Sequence, residues 1–425
     1  MSGISRRQLG KGALAAGVTI MVSGEARAED HFDVVVVGGG FGGATAAKYI
    51  RRIDPSLSVA LVEQKRVFYS CPFSNLVLGG LKSMDEIGHG YKTLTQKWGV
   101  EVIHKRASRI NVANKRIRLA GGQILTYDKA ILSPGIDLRL DAIPGYDKAA
   151  LGLMPHGWKA GPQTRDLRER LLAMDDGGLV IISPPTNPFR CPPGPYERAS
   201  MIAHYLKTNK PKSKILILDP KPKFSKEALF KQAWDALYPG MIEHLSAADD
   251  GEVVRVDANT LELESAFGEI HRGDVVNFIP PNIAGVIAGN SGLTNKDGWC
   301  PVDPVTFEST VAADVHIIGD AAIAGEMPKS GFSANSQGKI AAINVVAALT
   351  GRAPTEGSFA NTCYSLIAPD YGISVAKVYR STSDGIVGVD GSGGLSPMDA
   401  NADFRAAEAA YAEGWYQAIT QDMFG

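Results

Sequence analysis

Apolar runs separated by glycine-rich turns fill the first third of the chain, and their spacing predicts a parallel α/β sheet. The continuous apolar run at residues 32–37 is typical of a strand buried on both faces. Helical spacing at 44–51 and a second apolar run at 58–62 complete a βαβ unit. Further strands of the same sheet are predicted at 101–104 and 127–132.

A second strand–helix–strand series begins at residues 178–182, and its next strand is predicted at 214–218. An alanine-rich helix ending at Leu349 follows later in the chain. Four other segments are predicted: a returning run at 275–281, a strand at 315–320 that rejoins the first sheet, a strand at 372–376 and an amphipathic helix at 401–419.

The turn after the first strand contains the spacing G-x-G-x-x-G, carried by Gly38, Gly40 and Gly43. Glycines here allow a tight turn, close approach of a pyrophosphate to backbone N–H groups, and packing of helix on strand. Glu63 follows about 20 residues later at the end of the second predicted strand, where a carboxylate accepts hydrogen bonds from ribose hydroxyls. This context predicts a dinucleotide site.

Two downstream segments favour FAD over NAD as the dinucleotide. The turn Gly319-Asp320 resembles the second flavin fingerprint of flavoproteins with two dinucleotide domains, in which the aspartate binds the ribityl chain. Ser133-Pro134-Gly135 stands where those proteins carry Ala-Thr-Gly, which makes Gly135 a further candidate. The helix predicted to start near Ser333 would direct its positive end at the flavin ring.

The second nucleotide-type unit lacks a glycine fingerprint. Its first strand is followed by a proline-rich stretch at residues 183–194. Proline fixes φ and removes the N–H donors that a pyrophosphate needs, so we expect the NADH site to be lost.

These features predict an α/β fold with two Rossmann-like dinucleotide-binding domains, similar to the glutathione-reductase-like flavoproteins, and a C-terminal α+β interface domain. The predicted divisions are a signal segment at 1–28, the first part of the FAD-binding domain at 29–144, the second nucleotide-type domain at 145–280, the return of the FAD-binding domain at 281–350 and the interface domain at 351–425.

Composition excludes several classes of site. The formal net charge is −1, and no basic stretch occurs beyond the N-terminus, so a nucleic-acid partner is not expected. The four cysteines are too few for a disulfide scaffold and too widely spaced for zinc, and the eight histidines show no ligand spacing; no metal site is expected. Without a Cys-x-x-Cys-His motif, any haem must be on another chain.

The N-terminus has the features of an export signal. Arg6 and Arg7 precede a weakly apolar run at 13–22, and Ala26-Arg27-Ala28 offers small residues for cleavage. This pattern predicts a twin-arginine signal and a periplasmic location. The alternative is a membrane anchor, but the run is far shorter than the roughly 20 residues of a span, so no span is expected in the mature chain.

Four motifs resemble the flavoprotein subunit of flavocytochrome c sulfide dehydrogenase, and the similarity extends from about Val34 to Gly425. The motifs are Cys191-Pro192-Pro193-Gly194-Pro195-Tyr196-Glu197-Arg198-Ala199-Ser200, Gly298-Trp299-Cys300-Pro301-Val302-Asp303, Met327-Pro328-Lys329-Ser330-Gly331 and Asn361-Thr362-Cys363-Tyr364-Ser365. The resemblance implies an FAD-dependent enzyme that oxidises hydrosulfide to sulfur or polysulfide. Its electrons would pass to a c-type haem on a partner cytochrome subunit, giving a heterodimer.

The resemblance also assigns roles to the cysteines. Tyr69-Ser70-Cys71 matches the segment that holds FAD covalently in the family, the alternative being a buried apolar thiol. Cys191 and Cys363 match the family's redox disulfide, the alternative being a structural disulfide. Cys191 directly precedes a predicted helix, whose N-terminus would stabilise a thiolate there. Cys300 is expected to be a packing residue rather than a third redox group.

The reaction implied by the resemblance starts with hydrosulfide attacking the disulfide, which gives a persulfide and a thiolate. Glu197, one turn into the helix after Cys191, could shuttle a proton or could merely offset the helix dipole.

Two rival functions stay open. The first is a sulfide:quinone oxidoreductase, which would need a membrane-facing apolar tail. The helix at 401–419 instead carries Asp403, Glu408 and Glu413 against a lone Arg405, with Trp415 and Tyr416 expected to pack inside or meet a protein. The second is an FAD-binding electron-transfer module without catalysis of its own, which loss of Cys191 or Cys363 would have favoured.

Overall fold

The computed structural model describes residues 29–425, so the predicted signal segment at 1–28 lies outside the described residues. The first domain is built on an eight-stranded sheet whose central strands are parallel. In spatial order the path is Glu308–Ser309, Ala312–Ile317, Ile124–Leu132, Asp30–Val37, Val59–Val62 and Glu101–Ile103, and the strands Ala107–Asn111 and Arg116–Leu119 form a hairpin on Ile124–Leu132.

Both faces of this sheet are buried, which explains the unbroken apolar run of its first strand. Val35 and Val37 pack into one core cluster, and Val34 and Val36 pack into another on the opposite face. Helices cover the second face, the longest being Phe41–Ile53 and Gly331–Leu349. The remaining elements of this domain are the helices Ser74–Gly79, Lys92–Trp98 and Val286–Asn290 and the short strands Val67–Tyr69, Gly88–Gly90, Ile136–Leu138, Asn282–Ala284, Cys300–Pro301 and Ala322–Ile323.

The second domain repeats the parallel design on a smaller scale. Its four strands lie in the order Ile242–Leu245, Lys214–Leu218, Leu179–Ser183 and Val275–Phe278, and every pairing is parallel. The helices of this domain are Pro162–Ala173, Gly194–Asn209 and Glu227–Leu237. A three-stranded antiparallel sheet adds Val253–Asp257, Glu262–Ser265 and Ile270–Arg272.

The C-terminal part is an antiparallel sheet covered by one long helix. The sheet consists of Ser358–Ala368, Tyr371–Thr382, Gly385–Gly388 and Gly394–Leu395. The helix Ala402–Phe424 packs on the two long strands and is five residues longer at its C-terminal end than the predicted segment. Arg405 and Glu408 of this helix are buried and face each other at 3.5 Å, so these two charges are not on its exposed side.

The predicted α/β fold with two Rossmann-type sheets and a C-terminal α+β part is therefore confirmed. The strand Ser358–Ala368, which carries Cys363, is an addition to the predicted elements.

Candidate active site

One cavity brings most of the predicted site residues together. It lies where the glycine turn, the start of the helix Gly331–Leu349, the loop before the helix Gly194–Asn209 and the strand Ser358–Ala368 meet. The predicted residues that line it are Gly38, Gly40, Glu63, Cys71, Gly135, Cys191, Glu197, Gly319, Asp320 and Cys363. Gly43 lies one turn into its helix, where a Cβ would come within 1.9 Å of the Gly38 carbonyl oxygen.

The glycine turn is shaped for close approach of a ligand to the backbone. Gly38 has a φ of +100°, and a Cβ there would lie 2.1 Å from the carbonyl oxygen of Ser133. The N–H of Gly39 donates to Oε2 of Glu63 at 2.9 Å, which fixes the carboxylate at the rim of the cavity. This arrangement fits the ribose and pyrophosphate of a dinucleotide.

Asp320 supplies an unused acceptor inside the same cavity. Its Oδ1 is buried and has no hydrogen-bond partner among the described residues, while Oδ2 lies 4.0 Å from Nη1 of Arg190. Burial raises the pKa of Asp320, and the charges of Arg190 and Lys329 oppose that rise. A buried orphan acceptor is costly unless a ligand donor reaches it, so the site fits a hydroxyl-bearing chain such as the ribityl group of FAD.

Cys71 also lines the cavity, just before the short helix Ser74–Gly79. Its Sγ lies 3.4 Å from the carbonyl oxygen of Trp158, and the side chain is only partly buried. The thiol is therefore accessible to a ligand in the cavity rather than enclosed in a core.

Cys191 and Cys363 come from different domains and meet at the cavity wall. Both thiols are free and line the same cavity, near enough for each to shift the pKa of the other. Cys191 has a φ of +56°, an uncommon conformation for a residue with a side chain. A Cβ on Gly194 would lie 3.0 Å from the Cys191 Sγ, so the glycine leaves room for the thiol.

The two thiols are electrostatically unequal. Interaction with the Cys191 thiol lowers the pKa of Cys363, and the ammonium of Lys226 lowers it further. The pKa of Cys191 is raised by the same interaction and by burial. The helix N-terminus was expected to stabilise a thiolate at Cys191, whereas the directions of the pKa shifts favour the negative charge on Cys363.

Glu197 lies beside the thiols in a buried polar network. Its Oε1 accepts from the N–H of Leu366 at 2.9 Å, and its Oε2 accepts from Nδ2 of Asn75 at 2.7 Å. The Asn75 Oδ1 in turn accepts from Nε of Arg198 at 3.1 Å. Burial raises the pKa of Glu197, and these hydrogen bonds hold it down.

Arg198 is a buried guanidinium with neutral partners. It is 1% exposed and donates to the carbonyl oxygens of His156 and Gly157 and to Oδ1 of Asn277, each at 2.8 Å. Burial lowers the pKa of Arg198 to about 10.

Cys300 stands apart from this chemistry. It is fully buried in a core cluster on a short strand, and burial raises the pKa of its thiol to about 12.

Sequence reasoning missed several residues of the site, namely Asn75, Arg190, Arg198 and Lys226. Arg190 and Arg198 are adjacent to Cys191 and Glu197, and Asn75 follows Cys71 by one helical turn, so proximity to the motifs was a usable signal. Lys226 lies far from every motif, and no pattern indicated it.

Two further findings concern ligands. In the part of the chain that the structure describes, no group of three or more histidine, cysteine or acidic side chains is arranged to hold a metal. Among residues 29–425, no helix is both long enough and apolar enough to cross a membrane.

Family models match three stretches of the chain. Residues 164–280 match the central part of the sulfide dehydrogenase [flavocytochrome c] flavoprotein chain, and 355–424 match the flavin-binding part of flavocytochrome c sulphide dehydrogenase. Residues 32–171 match the pyridine nucleotide-disulphide oxidoreductases.

Individual relatives agree with these matches. One relative is the flavoprotein chain of sulfide dehydrogenase [flavocytochrome c] from Chlorobaculum thiosulfatiphilum, to which this chain is 70% identical over 44 residues. The aligned stretch covers 10% of this chain and 92% of that sequence. It is 25% identical over 307 residues to the mitochondrial sulfide:quinone oxidoreductase of Mus musculus, covering 69% of this chain and 66% of that one. The solved sulfide:quinone oxidoreductase of Aquifex aeolicus superposes with a TM-score of 0.70 at 16% identity, covering 92% of each chain, and so shares the fold.

Proposed function

The chain belongs to the flavocytochrome c sulfide dehydrogenase flavoprotein family, and from that premise we propose that it oxidises hydrosulfide through a redox disulfide of Cys191 and Cys363. The observation that carries the proposal is the contact of these two thiols at the wall of the dinucleotide cavity. These two cysteines are far apart in sequence, so only the tertiary fold brings them together. They come together at the cavity that would hold FAD, the electron acceptor.

The difference in pKa between the two thiols determines which sulfur hydrosulfide attacks and which sulfur leaves. Hydrosulfide attacks Sγ of Cys191, a new S–S bond forms there, and the electron pair of the broken disulfide stays on Sγ of Cys363. Cys363 is the better leaving group because its thiol has the lower pKa. A second hydrosulfide then attacks the outer sulfur of the Cys191 persulfide, the S–S bond to Cys191 breaks, hydrogen disulfide anion leaves, and the persulfide proton ends on the Cys191 sulfur. The dithiol state now holds the two electrons taken from sulfide.

Glu197 moves the proton in this scheme. Its carboxylate can accept the persulfide proton as the second hydrosulfide attacks and can deliver it to the Cys191 sulfur as hydrogen disulfide anion leaves. The raised pKa of Glu197 makes its carboxylate a better proton acceptor than an ordinary glutamate. The hydrogen bonds from Asn75 and Leu366 fix the carboxylate between the two steps.

Residues of the glycine turn, Glu63 and Asp320 would hold FAD, and Cys71 would bind it covalently. When bound, FAD supplies a two-electron acceptor that can release its electrons singly. The chain's part is to place the Cys191–Cys363 pair against that acceptor and to exclude NADH from it.

Serine variants test the redox role. Cys191→Ser and Cys363→Ser should each abolish the reduction of bound flavin by sulfide, as followed by the loss of flavin absorbance in anaerobic mixing, while retaining flavin and fold. Cys300→Ser is the matched control, since that thiol is buried away from the cavity, and it should react as the parent does. Near-normal sulfide oxidation by either of the first two variants would mean that the bridge is only structural.

We propose a c-type cytochrome subunit as the electron acceptor, because the family of the relative is named for such a flavocytochrome. Purification of the expressed protein with its native partners should yield a second chain carrying covalent haem, whose spectrum is reduced on adding sulfide. A flavoprotein purified alone that reduces a quinone and no cytochrome would contradict this assignment.

We also propose export by the twin-arginine route, carried by Arg6 and Arg7. Replacing both with lysine should leave the flavoprotein in the cytoplasmic fraction. Undisturbed recovery from the periplasm would refute the route.

A further inference from the structure

Lys226 is a buried ammonium beside the thiol pair, and the reaction described so far does not use it. The residue is 5% exposed. Its Nζ donates to the carbonyl oxygen of Cys363 and to Oγ of Ser365, both at 2.8 Å, and to the carbonyl oxygen of Ile373 at 3.4 Å. All three acceptors are neutral oxygens, so the hydrogen bonds of the ammonium are made without a carboxylate partner. A buried charge of this kind is destabilising unless another charge compensates it.

The backbone conformation at position 226 does not favour lysine. Lys226 has a φ of +63°, in the left-handed region that favours glycine or asparagine. It is also the residue before the helix Glu227–Leu237, where the positive end of the helix dipole disfavours a cation. Burial, conformation and dipole therefore all oppose a lysine here, and no carboxylate of the described residues bonds directly to its ammonium.

The groups that face Lys226 identify the compensating charge. They are Cys363, Glu197, Cys191 and the more distant Glu408 of the C-terminal helix. Cys363 in turn faces Cys191, Lys226 and Glu197. Of the two thiols, only Cys363 is on the strand whose backbone the ammonium holds.

We propose that Lys226 is a positioning residue that compensates the thiolate of Cys363 when the disulfide is broken, and thereby makes Cys363 the leaving sulfur. In that step the S–S bond breaks, its electron pair stays on Sγ of Cys363, and the hydrosulfide sulfur bonds to Sγ of Cys191. The charge of the thiolate is then paired with the ammonium, and no proton is needed at Cys363. This inference rests on the proposed function.

The test measures the thiol itself and needs no sulfide. In FAD-loaded full-length Cys191→Ser protein, the rate at which iodoacetamide alkylates Cys363 is followed against pH by mass spectrometry of its peptide. Adding Lys226→Met should move the midpoint upward by about one pH unit or more, because a cation within a few ångströms lowers a thiol pKa by about that much. Adding Lys226→Arg should restore most of the shift.

Lys210→Met is the matched control. Lys210 is also buried, and its Nζ donates only to backbone carbonyls, those of Leu171, Leu172 and Met174, away from the cavity. Its loss should lower thermal stability as much as that of Lys226 without moving the alkylation midpoint. If the Lys226→Met variant loses its flavin, Lys226→Gln provides a second variant without the positive charge.

An unchanged midpoint in a folded, flavin-bound neutral variant would overturn the role of Lys226. An equal shift in Lys210→Met would overturn it too, since the effect would then follow from lost stability. The proposed function fails separately: if the parent protein does not reduce its flavin with sulfide, the alkylation midpoints still report whether Lys226 stabilises the Cys363 thiolate.

Discussion

The side-chain amide of Asn75 donates a 2.7 Å hydrogen bond to the carboxylate of Glu197, and its oxygen accepts from the buried guanidinium of Arg198. Asn75→Leu has a similar volume and removes both bonds. We expect sulfide-driven flavin reduction to slow by about tenfold or more, because the carboxylate loses its position and its pKa rises further. Stopped-flow rates across a pH series measure both effects.

A control separates catalysis from stability in this experiment. Asn344 is equally buried and bonds to Val305 and Thr355, remote from the cavity. Asn344→Leu and Asn75→Leu should each lose about 1–3 kcal/mol of unfolding free energy, since each leaves buried polar groups unpaired. Only Asn75→Leu should alter the pH profile, and a parallel change in Asn344→Leu would contradict the role given to Asn75.

The sequence predicted those parts of the fold that depend on interactions between residues close together in the chain. A strand buried on both faces must be continuously apolar, so residues 32–37 revealed the first sheet, and the G-x-G-x-x-G spacing revealed the dinucleotide turn. The strand Ser358–Ala368 was missed because Asn361, Thr362 and Ser365 interrupt its apolar pattern. Those polar residues face the site and the buried lysine, which is information that only the assembled domains contain.

The same reasoning explains the missed site residues. Lys226 contacts Cys363 across 137 positions of sequence, and Asn75 contacts Glu197 across 122. Neither lysine nor asparagine is part of a recognisable motif at these positions. Both residues are buried in the site, and the burial of a polar side chain cannot be predicted from the sequence. The helix N-terminus indicated a thiolate at Cys191, and no pattern indicated the ammonium of Lys226 that favours a thiolate at Cys363.

The second prediction concerns how the flavin is held. Cys71 is partly exposed to the cavity on a segment close to Trp158, so a covalent bond to FAD is sterically open to it. Acid precipitation of the protein should leave the yellow colour in the pellet. Cys71→Ser should release the flavin to the supernatant. Flavin found wholly in the supernatant of the unchanged protein would disprove the bond.

The third prediction is an acid limb in the pH dependence of sulfide oxidation. Burial raises the pKa of Glu197, so its carboxylate becomes protonated at a higher pH than an exposed glutamate would. The rate of flavin reduction should therefore fall as the pH decreases toward that raised pKa. Glu197→Gln should slow the reaction by about 10²-fold or more and remove this limb. Glu326→Gln, an exposed carboxylate paired with Lys377, serves as the control and should keep the parental profile.

The last prediction is that NADH and NADPH leave the flavin oxidised, and a buried carboxylate supplies the reason. Asp219 follows the strand Lys214–Leu218 as Glu63 follows Val59–Val62, so it occupies the position where a ribose would be bound. It is fully buried and already accepts from Tyr196 at 2.5 Å, Lys221 at 2.6 Å and His244 at 3.1 Å.

Because its oxygens already accept from three side chains, the Asp219 carboxylate is not free to accept hydrogen bonds from the ribose of a nucleotide. Burial alone would raise the pKa of Asp219, but the hydrogen bond from His244 and the ammonium of Lys221 bring it below its ordinary value. The ammonium also donates to the carbonyl oxygen of Pro185 and so ties the proline-rich loop across the position that a pyrophosphate would need. Anaerobic mixing with either nucleotide should leave the oxidised flavin spectrum unchanged for minutes, while dithionite bleaches it. Rapid bleaching by NADH would show that this domain still binds a nucleotide despite the occupied carboxylate.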